Sequence, residues 1–114
     1  MTNSPFTLLR TSILASLLGL TSFSMAAEPE FIITIKDHKF DPAELVLPVD
    51  TKVKLVVKNL DSTPEEFESH DLHREKVVPG GGQITVFVGP LKPGTYSFFG
   101  EFNQATAQGK IIVK

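Results

Sequence analysis

The chain of 114 residues contains no cysteine and no tryptophan, and its two methionines are Met1 and Met25. The absence of cysteine excludes disulfide bonds, thiolate metal sites and lipid attachment at a cysteine. If the N-terminal segment is removed after residue 26, both methionines leave with it and no thioether ligand remains. The chain must therefore bury a core without covalent cross-links, and it lacks the sulfur ligands that favour Cu(I).

The first 26 residues are predicted to be a cleavable secretory signal. Residues 1–10 carry one charged side chain, Arg10, and are followed by an apolar stretch over residues 12–23 and small residues at 24–27. This is the layout of a signal peptide, and the apolar stretch is shorter than the roughly 20 residues of a membrane-spanning helix. We expect export to the periplasm and a single mature domain over residues 27–114 that does not span the membrane.

The charge of the chain bears on its partners. Removing residues 1–26 takes away Arg10 but no acidic side chain, so the net charge at pH 7 changes from −2 to −3. Nucleic-acid-binding domains concentrate lysine and arginine on one face, and this acidic domain has no basic run of that kind. Nucleic acid is therefore not expected among its partners.

Short apolar alternations separated by proline and glycine predict an all-β chain. Residues 31–36 and 52–58 show the period of two that is typical of half-buried strands, whereas residues 65–74 match no strand pattern well. Further strands are predicted at residues 44–48, 75–78, 83–88, 95–99 and 110–114. About seven strands at this spacing predict a two-sheet β-sandwich.

Two segments of the chain resemble the cupredoxins. Residues 96–103, YSFFGEFN, followed by GKIIV at residues 109–113, are similar to the aromatic strand, ligand loop and last strand of that family. Residues 57–59, followed by Pro64, resemble the strand and loop that carry the family's first histidine. The resemblance covers nearly the whole mature chain and implies a cupredoxin-like Greek-key β-sandwich.

The same resemblance indicates that the copper ligands have been replaced. In the order histidine, cysteine, histidine and methionine, the replacements are Glu65 or Glu66, Gly100, Asn103, and Ala107 or Gln108. A type 1 copper site needs two histidines, a thiolate and a weak axial ligand. Blue-copper electron transfer is therefore not expected, and copper is a less suitable metal than iron.

A narrower resemblance concerns periplasmic cupredoxin-like proteins that accompany bacterial ferrous iron permeases. Residues 63–72, TPEEFESHDL, then residues 74–76, REK, and residues 99–102, FGEF, are similar to that subgroup. Many of its members have histidine where this chain has Asn103. The resemblance implies iron binding, delivery or assisted oxidation, with an inner-membrane iron permease and another periplasmic component as partners.

Carboxylates and histidines crowd residues 65–73, and such ligands suit iron or manganese better than Cu(I). If this segment is extended, Glu66, Glu68 and His70 share one face, and the residues between them point toward the core. The family topology implies that Glu101 approaches the same place, because both loops lie at one end of the sandwich. The expected metal ligands are Glu66, Glu68, His70 and Glu101, with Glu65 as a lesser candidate.

The sequence leaves three functions open. An iron-binding accessory protein is favoured, and a ferroxidase-like activity would need a partner to accept the electron. The alternative is a metal-free protein-interaction module on a degenerate cupredoxin scaffold, in which the former copper end is a docking surface. The acidic segment on its own could also be a solvated loop whose charges serve solubility alone. A hydrolase using Ser69, His70 and Asp71 is the weakest hypothesis, because catalytic triads rarely come from adjacent residues and no G-x-S-x-G motif is present.

Overall fold

The structure is a computed structural model, and it describes residues 27–114. In these residues the chain forms strands and one short 3₁₀ turn, arranged as two sheets packed face to face. The prediction of an all-β sandwich is confirmed. The predicted signal peptide at residues 1–26 lies outside the described residues, and among those described no helix is long and apolar enough to cross a membrane.

Nine strands occupy the described part of the chain, against the seven or so expected. In chain order they are β1 (Glu30–Lys36), β2 (Lys39–Asp41), β3 (Glu44–Leu47), β4 (Val53–Asn59), β5 (Glu65–Ser69), β6 (Arg74–Val78), β7 (Gln83–Val88), β8 (Gly94–Gly100) and β9 (Gln108–Val113). The 3₁₀ turn, Glu101–Asn103, directly follows β8. One sheet has the order β2-β1-β4-β7 and the other has the order β3-β9-β8-β5-β6.

The chain crosses repeatedly between the two sheets. The pairs β1 with β4 and β3 with β9 are parallel, whereas the other paired strands are antiparallel. A parallel pair cannot be closed by a tight hairpin, so the chain must leave the sheet between the two strands. Because the chain alternates between the sheets, β5 and β8, which are distant in sequence, become neighbours in one sheet.

The two additional strands, β2 and β5, have weak sequence signals for different reasons. Strand β2 has only three residues, too few to establish an alternation. Strand β5 does alternate, but its buried positions are Glu65, Phe67 and Ser69, of which only Phe67 is apolar. Because polar residues occupy core-facing positions, the hydrophobic period that normally identifies a strand is missing.

An aromatic cluster joins the two sheets. The ring centroids of Phe40 and Phe98 are 4.9 Å apart, those of Phe67 and Phe98 5.3 Å, and those of Phe40 and Phe67 6.2 Å. Phe98 lies over Gly109 on the neighbouring strand, where a Cβ atom would come within 2.2 Å of the ring. These rings fix β5 against β8 in the core, and so determine where the start of β5 meets the end of β8.

Candidate functional site

The acidic segment forms a strand with two different faces. Glu65, Phe67 and Ser69 are buried, whereas Glu66 and Glu68 are half-buried on the outer face of the sheet. This is the alternation that an extended segment predicts. Phe67 lies opposite Gly100, so the start of β5 is next to the end of β8 and the 3₁₀ turn that follows it.

Glu65 is a buried carboxylate with three hydrogen-bond donors. The residue is 1% exposed to solvent. Oε1 accepts the backbone N–H of Phe102 at 2.8 Å and that of Glu66 at 3.0 Å, while Oε2 accepts the side-chain amide of Asn103 at 2.7 Å. Hydrogen bonds from several donors are what a carboxylate needs in a protein interior.

The carboxylate of Glu65 lies where the four replaced ligand positions converge. A Cβ atom built on Gly100 would lie 2.6 Å from Cδ of Glu65 and 2.7 Å from Cβ of Ala107. Glu65 rather than Glu66 therefore faces position 100, and Ala107 is the residue that approaches from the far side of the loop. A glycine, an amide and a methyl group surround one carboxylate, so these residues do not fit a type 1 copper ion.

A second group of carboxylates lies on the outer face. One oxygen each of Glu66, Glu68 and Glu101 lies within 4.8 Å of the others. His70 follows β5 with its side chain 80% exposed, and its Nε2 is 3.6 Å from Oε2 of Glu68. We call Glu66, Glu68, Glu101 and His70 the outer cluster. The structure thus brings Glu66, Glu68 and Glu101 together, places His70 beside Glu68, and places Glu65 on the opposite face of β5. Metal binding by these residues stays a prediction.

The outer cluster is electrostatically unfavourable without a cation. Partial burial raises the pKa of Glu66 above its usual value of 4.5, and a hydrogen bond with Glu68 and the charges of Glu75, Glu68 and Glu101 raise it further. Carboxylates that share a small volume oppose one another's ionisation, and a bound cation would relieve that repulsion. The arrangement is therefore chemically suited to a cation that prefers oxygen ligands.

Glu75 belongs to this environment, although it was not among the predicted site residues. It lies directly opposite Glu68 in the β5–β6 ladder. Its neighbours Arg74 and Lys76 point the other way and donate to the carbonyls of Phe87 at 3.1 Å and Thr85 at 3.4 Å on the edge of β7. Only the register between β5 and β6 identifies Glu75, because two like charges facing each other across strands leave no local sequence signal.

The residues of the hydrolase hypothesis have structural contacts instead. Ser69 is buried, its hydroxyl donates to the carbonyl of Ser97 at 2.6 Å, and it accepts the backbone N–H of Leu72 at 3.1 Å. Asp71 accepts the backbone N–H of Ser97 at 2.8 Å. The serine and the aspartate both hold the turn after β5 against β8, an arrangement that leaves no free nucleophile.

The other two histidines lie outside the outer cluster. His38 sits in the turn between β1 and β2, where its Nδ1 is 3.6 Å from a carboxylate oxygen of Asp61. His73 is the residue before β6 and has a positive φ of 56°; its carbonyl accepts a hydrogen bond from the Arg74 side chain at 3.0 Å. His38 is placed where a loop histidine was expected, and His73 lines the depression beside Glu68 without joining the cluster.

Comparisons with known proteins agree with this fold. Residues 9–113 match the family model described as a cupredoxin-like domain. An uncharacterized protein of Rickettsia prowazekii, strain Madrid E, is 57% identical over 84 residues, which cover 74% of this chain and 67% of that protein.

Solved structures show the same fold at low sequence identity. Auracyanin A, a blue copper protein of Chloroflexus aurantiacus, has a TM-score of 0.66 at 15% identity, over 77% of this chain and all of that chain. Amicyanin of Paracoccus versutus has a TM-score of 0.59 at 14% identity, over 80% and 85% of the two chains. The metal-binding domain of CopA, a Cu(I)-exporting ATPase of Streptococcus pneumoniae D39, has a TM-score of 0.66 at 12% identity, over 80% and 91%.

The contact between Gly100 and Glu65 predicts a specific energetic coupling. Gly100→Ala should lower the free energy of unfolding by about 1–3 kcal/mol, because the new methyl group overlaps the carboxyl group and Ala107. The same change should cost less in a Glu65→Ala background, where the overlap with the carboxyl group is gone. Urea unfolding of the four proteins in the cycle measures this, with Thr95→Ala, exposed on the same strand, as the control. Equal costs in both backgrounds would contradict the contact.

The raised pKa of Glu66 predicts how stability depends on pH. Because the folded protein holds this proton more tightly than the unfolded chain, stability from this group falls as pH rises from the usual value of 4.5 through the raised pKa. Glu66→Gln should therefore have little effect on Tm below that window and raise Tm above it. Thermal unfolding between about pH 3.5 and 7, a range that spans the usual titration of carboxyl groups, measures the Tm of this variant. Glu44→Gln, an exposed change on β3, is the control. A variant that gains nothing at neutral pH would contradict the crowding of charges.

Proposed function

This chain belongs to the cupredoxin-like domain family, and we propose that it is a periplasmic metal-binding accessory protein of ferrous iron uptake. In this proposal the outer cluster binds iron and delivers it to an inner-membrane iron permease, with another periplasmic component as a further partner. The single observation that carries the proposal is the approach of three carboxylate oxygens, from Glu66, Glu68 and Glu101, to within 4.8 Å of one another.

The ligand chemistry favours iron over copper. The described chain offers carboxylate oxygens and one imidazole at the outer cluster, and the sequence contains no cysteine that would make a type 1 copper site. Hard, highly charged ions gain most from anionic oxygen ligands, so such a site would bind Fe³⁺ more tightly than Fe²⁺. This bias would favour oxidation, with the electron taken up by an acceptor on another protein.

The position of the cluster suits delivery better than storage. Glu68 is 13% exposed at its side chain, while His70 is 80% exposed, so the site is open to solvent on one side. An ion held in this way can pass to a partner without unfolding of the strand. The metal-binding domain of the Cu(I) exporter CopA supports the idea that this fold can serve a membrane transporter, although with a different metal.

The periplasmic location and the permease partner rest on the sequence. The layout of residues 1–26 supports export, and the resemblance of residues 63–72 and 99–102 to the iron permease subgroup supports the partner. Asn103, where many members of that subgroup have histidine, donates to Glu65. In the proposal it is therefore part of the interior support and not a ligand to iron.

A second candidate function is supported by the closed interior. Glu65 fills the place where the family's ligands would meet, and exposed apolar side chains, Leu60 at 62% and Phe102 at 51%, lie in the loops before and after the site. A metal-free protein-docking module would use such a surface, with the outer cluster facing basic residues of a partner. The two functions differ in whether the cluster binds a metal by itself.

Metal titration separates the two functions. We expect the metal-stripped domain, residues 27–114, to bind one Fe²⁺ under anaerobic conditions, and Mn²⁺ at the same site, with Cu²⁺ as a third test ion. Glu66→Gln/Glu68→Gln should weaken binding by at least about tenfold, because both charged ligands are lost while side-chain size is kept. Isothermal titration calorimetry measures the affinities.

The matched control is Glu28→Gln/Glu30→Gln, which removes the same charge near β1, where these residues face Lys52 and Lys54. It should leave the affinity within about threefold of the wild-type value, since it changes only long-range electrostatics. Absence of binding of all three ions to the wild-type domain would sink the metal-binding proposal and favour the docking module.

A further inference from the structure

We propose that Glu65 replaces the family's metal as the structural link at this end of the sandwich, and that it positions the outer cluster without being a ligand itself. Its carboxylate joins β5 to the Glu101–Asn103 turn. The part of this inference that concerns metal affinity rests on the proposed function, whereas the part that concerns the link does not.

One oxygen atom of Glu65 holds the backbone at both sides of the outer cluster. Oε1 accepts the N–H of Glu66 on β5 and the N–H of Phe102, which belongs to the peptide group after Glu101. Two of the three clustered glutamates are thus attached to backbone that is fixed by the same atom. The ladder between β5 and β8 ends at the pair Phe67 and Gly100, so beyond it this oxygen atom ties the backbone of the turn to β5.

Among the described residues, Glu65 supplies the side chain that caps the start of the 3₁₀ turn. The first N–H groups of a helical turn lack partners within the turn, and a side chain usually satisfies one of them. Here the residue before the turn is Gly100, which has no side chain that could act as a cap. Glu65 supplies the missing acceptor from another strand, and its second oxygen binds the side chain of Asn103 at the end of the same turn.

The surroundings of Glu65 do not suit a metal ion. In this arrangement its three partners present N–H groups, which donate hydrogen bonds and offer no electron pair to a metal. Gly100 and Ala107 on the adjoining side offer no ligand atom. A metal bound to Glu65 would have to displace these hydrogen bonds and leave buried donors unpaired, which is costly.

The experiment compares Glu65→Ala and Glu65→Gln with the wild-type domain, and first measures amide hydrogen exchange by NMR without metal. Glu65→Ala should speed exchange of the Phe102 amide by at least about 100-fold, because its acceptor is removed. Glu65→Gln keeps one acceptor oxygen for both backbone N–H groups, and the Asn103 amide can turn to accept from the new amide. It should therefore keep most of the protection.

The second measurement is Mn²⁺ affinity by calorimetry. Glu65→Ala should weaken binding by at least about tenfold although every ligand is retained, and Glu65→Gln should stay within about threefold of the wild type. Val88→Ala, a buried change at the far end of β7, is the control for general destabilisation. It should lower Tm and leave both the Phe102 exchange and the affinity unchanged.

Each other outcome has a definite meaning. Unchanged exchange of the Phe102 amide in Glu65→Ala would overturn the structural link. A folded Glu65→Gln that loses affinity as fully as Glu65→Ala would show that the charge of Glu65 binds the metal, and would overturn the positioning role. Should Glu65→Ala not fold, Glu65→Asp replaces it in the exchange measurement; its shorter side chain withdraws the acceptor from the Phe102 N–H, so faster exchange of Phe102 is required there too. Absence of Mn²⁺ and Fe²⁺ binding to the wild type defeats the proposed function while the exchange result still decides the link.

Discussion

The hydrogen bonds of the buried Glu65 carboxylate determine how one end of this sandwich is built. A charged group is costly in a protein interior unless donors surround it, and here two backbone N–H groups and the amide of Asn103 do so. Gly100 leaves the space that the carboxylate fills, since any side chain there would overlap it. The carboxylate of Glu65, the glycine and the amide of Asn103 therefore form one unit, and the packing of this end of the sandwich depends on all three together.

Strand β5 separates two kinds of acidic group by its alternation. The inward carboxylate of Glu65 is stabilised by hydrogen bonds, whereas the outward carboxylates of Glu66 and Glu68 meet Glu101 and Glu75 and oppose one another's charge. Local interactions that cost stability are concentrated at functional sites. A cation bound on the outer face would relieve this repulsion. The metal would then lie on the outer surface of β5 and not in the interior, where the copper ligands of the family meet.

The sequence predicted the all-β sandwich, its cupredoxin-like architecture and the face shared by Glu66, Glu68 and His70, because these depend on period-two patterns and local motifs. It did not predict β5 as a strand, since Glu65 and Ser69 occupy core positions where apolar residues are expected. Glu75 was missed because its place depends on strand register. The bond between Glu65 and Asn103 joins residues 38 apart in sequence, and such a partnership follows from the topology of the sheets.

The most direct measurement is a crystal structure of the mature domain grown with Mn²⁺, with anomalous diffraction data to locate the ion. We expect one anomalous peak on the outer face, from an ion bound by Glu66, Glu68 and Glu101, with Glu65 still accepting the N–H of Phe102 beneath it. A peak within bonding distance of the Glu65 carboxylate in the interior, or no ordered ion at the three outer glutamates, would contradict this expectation.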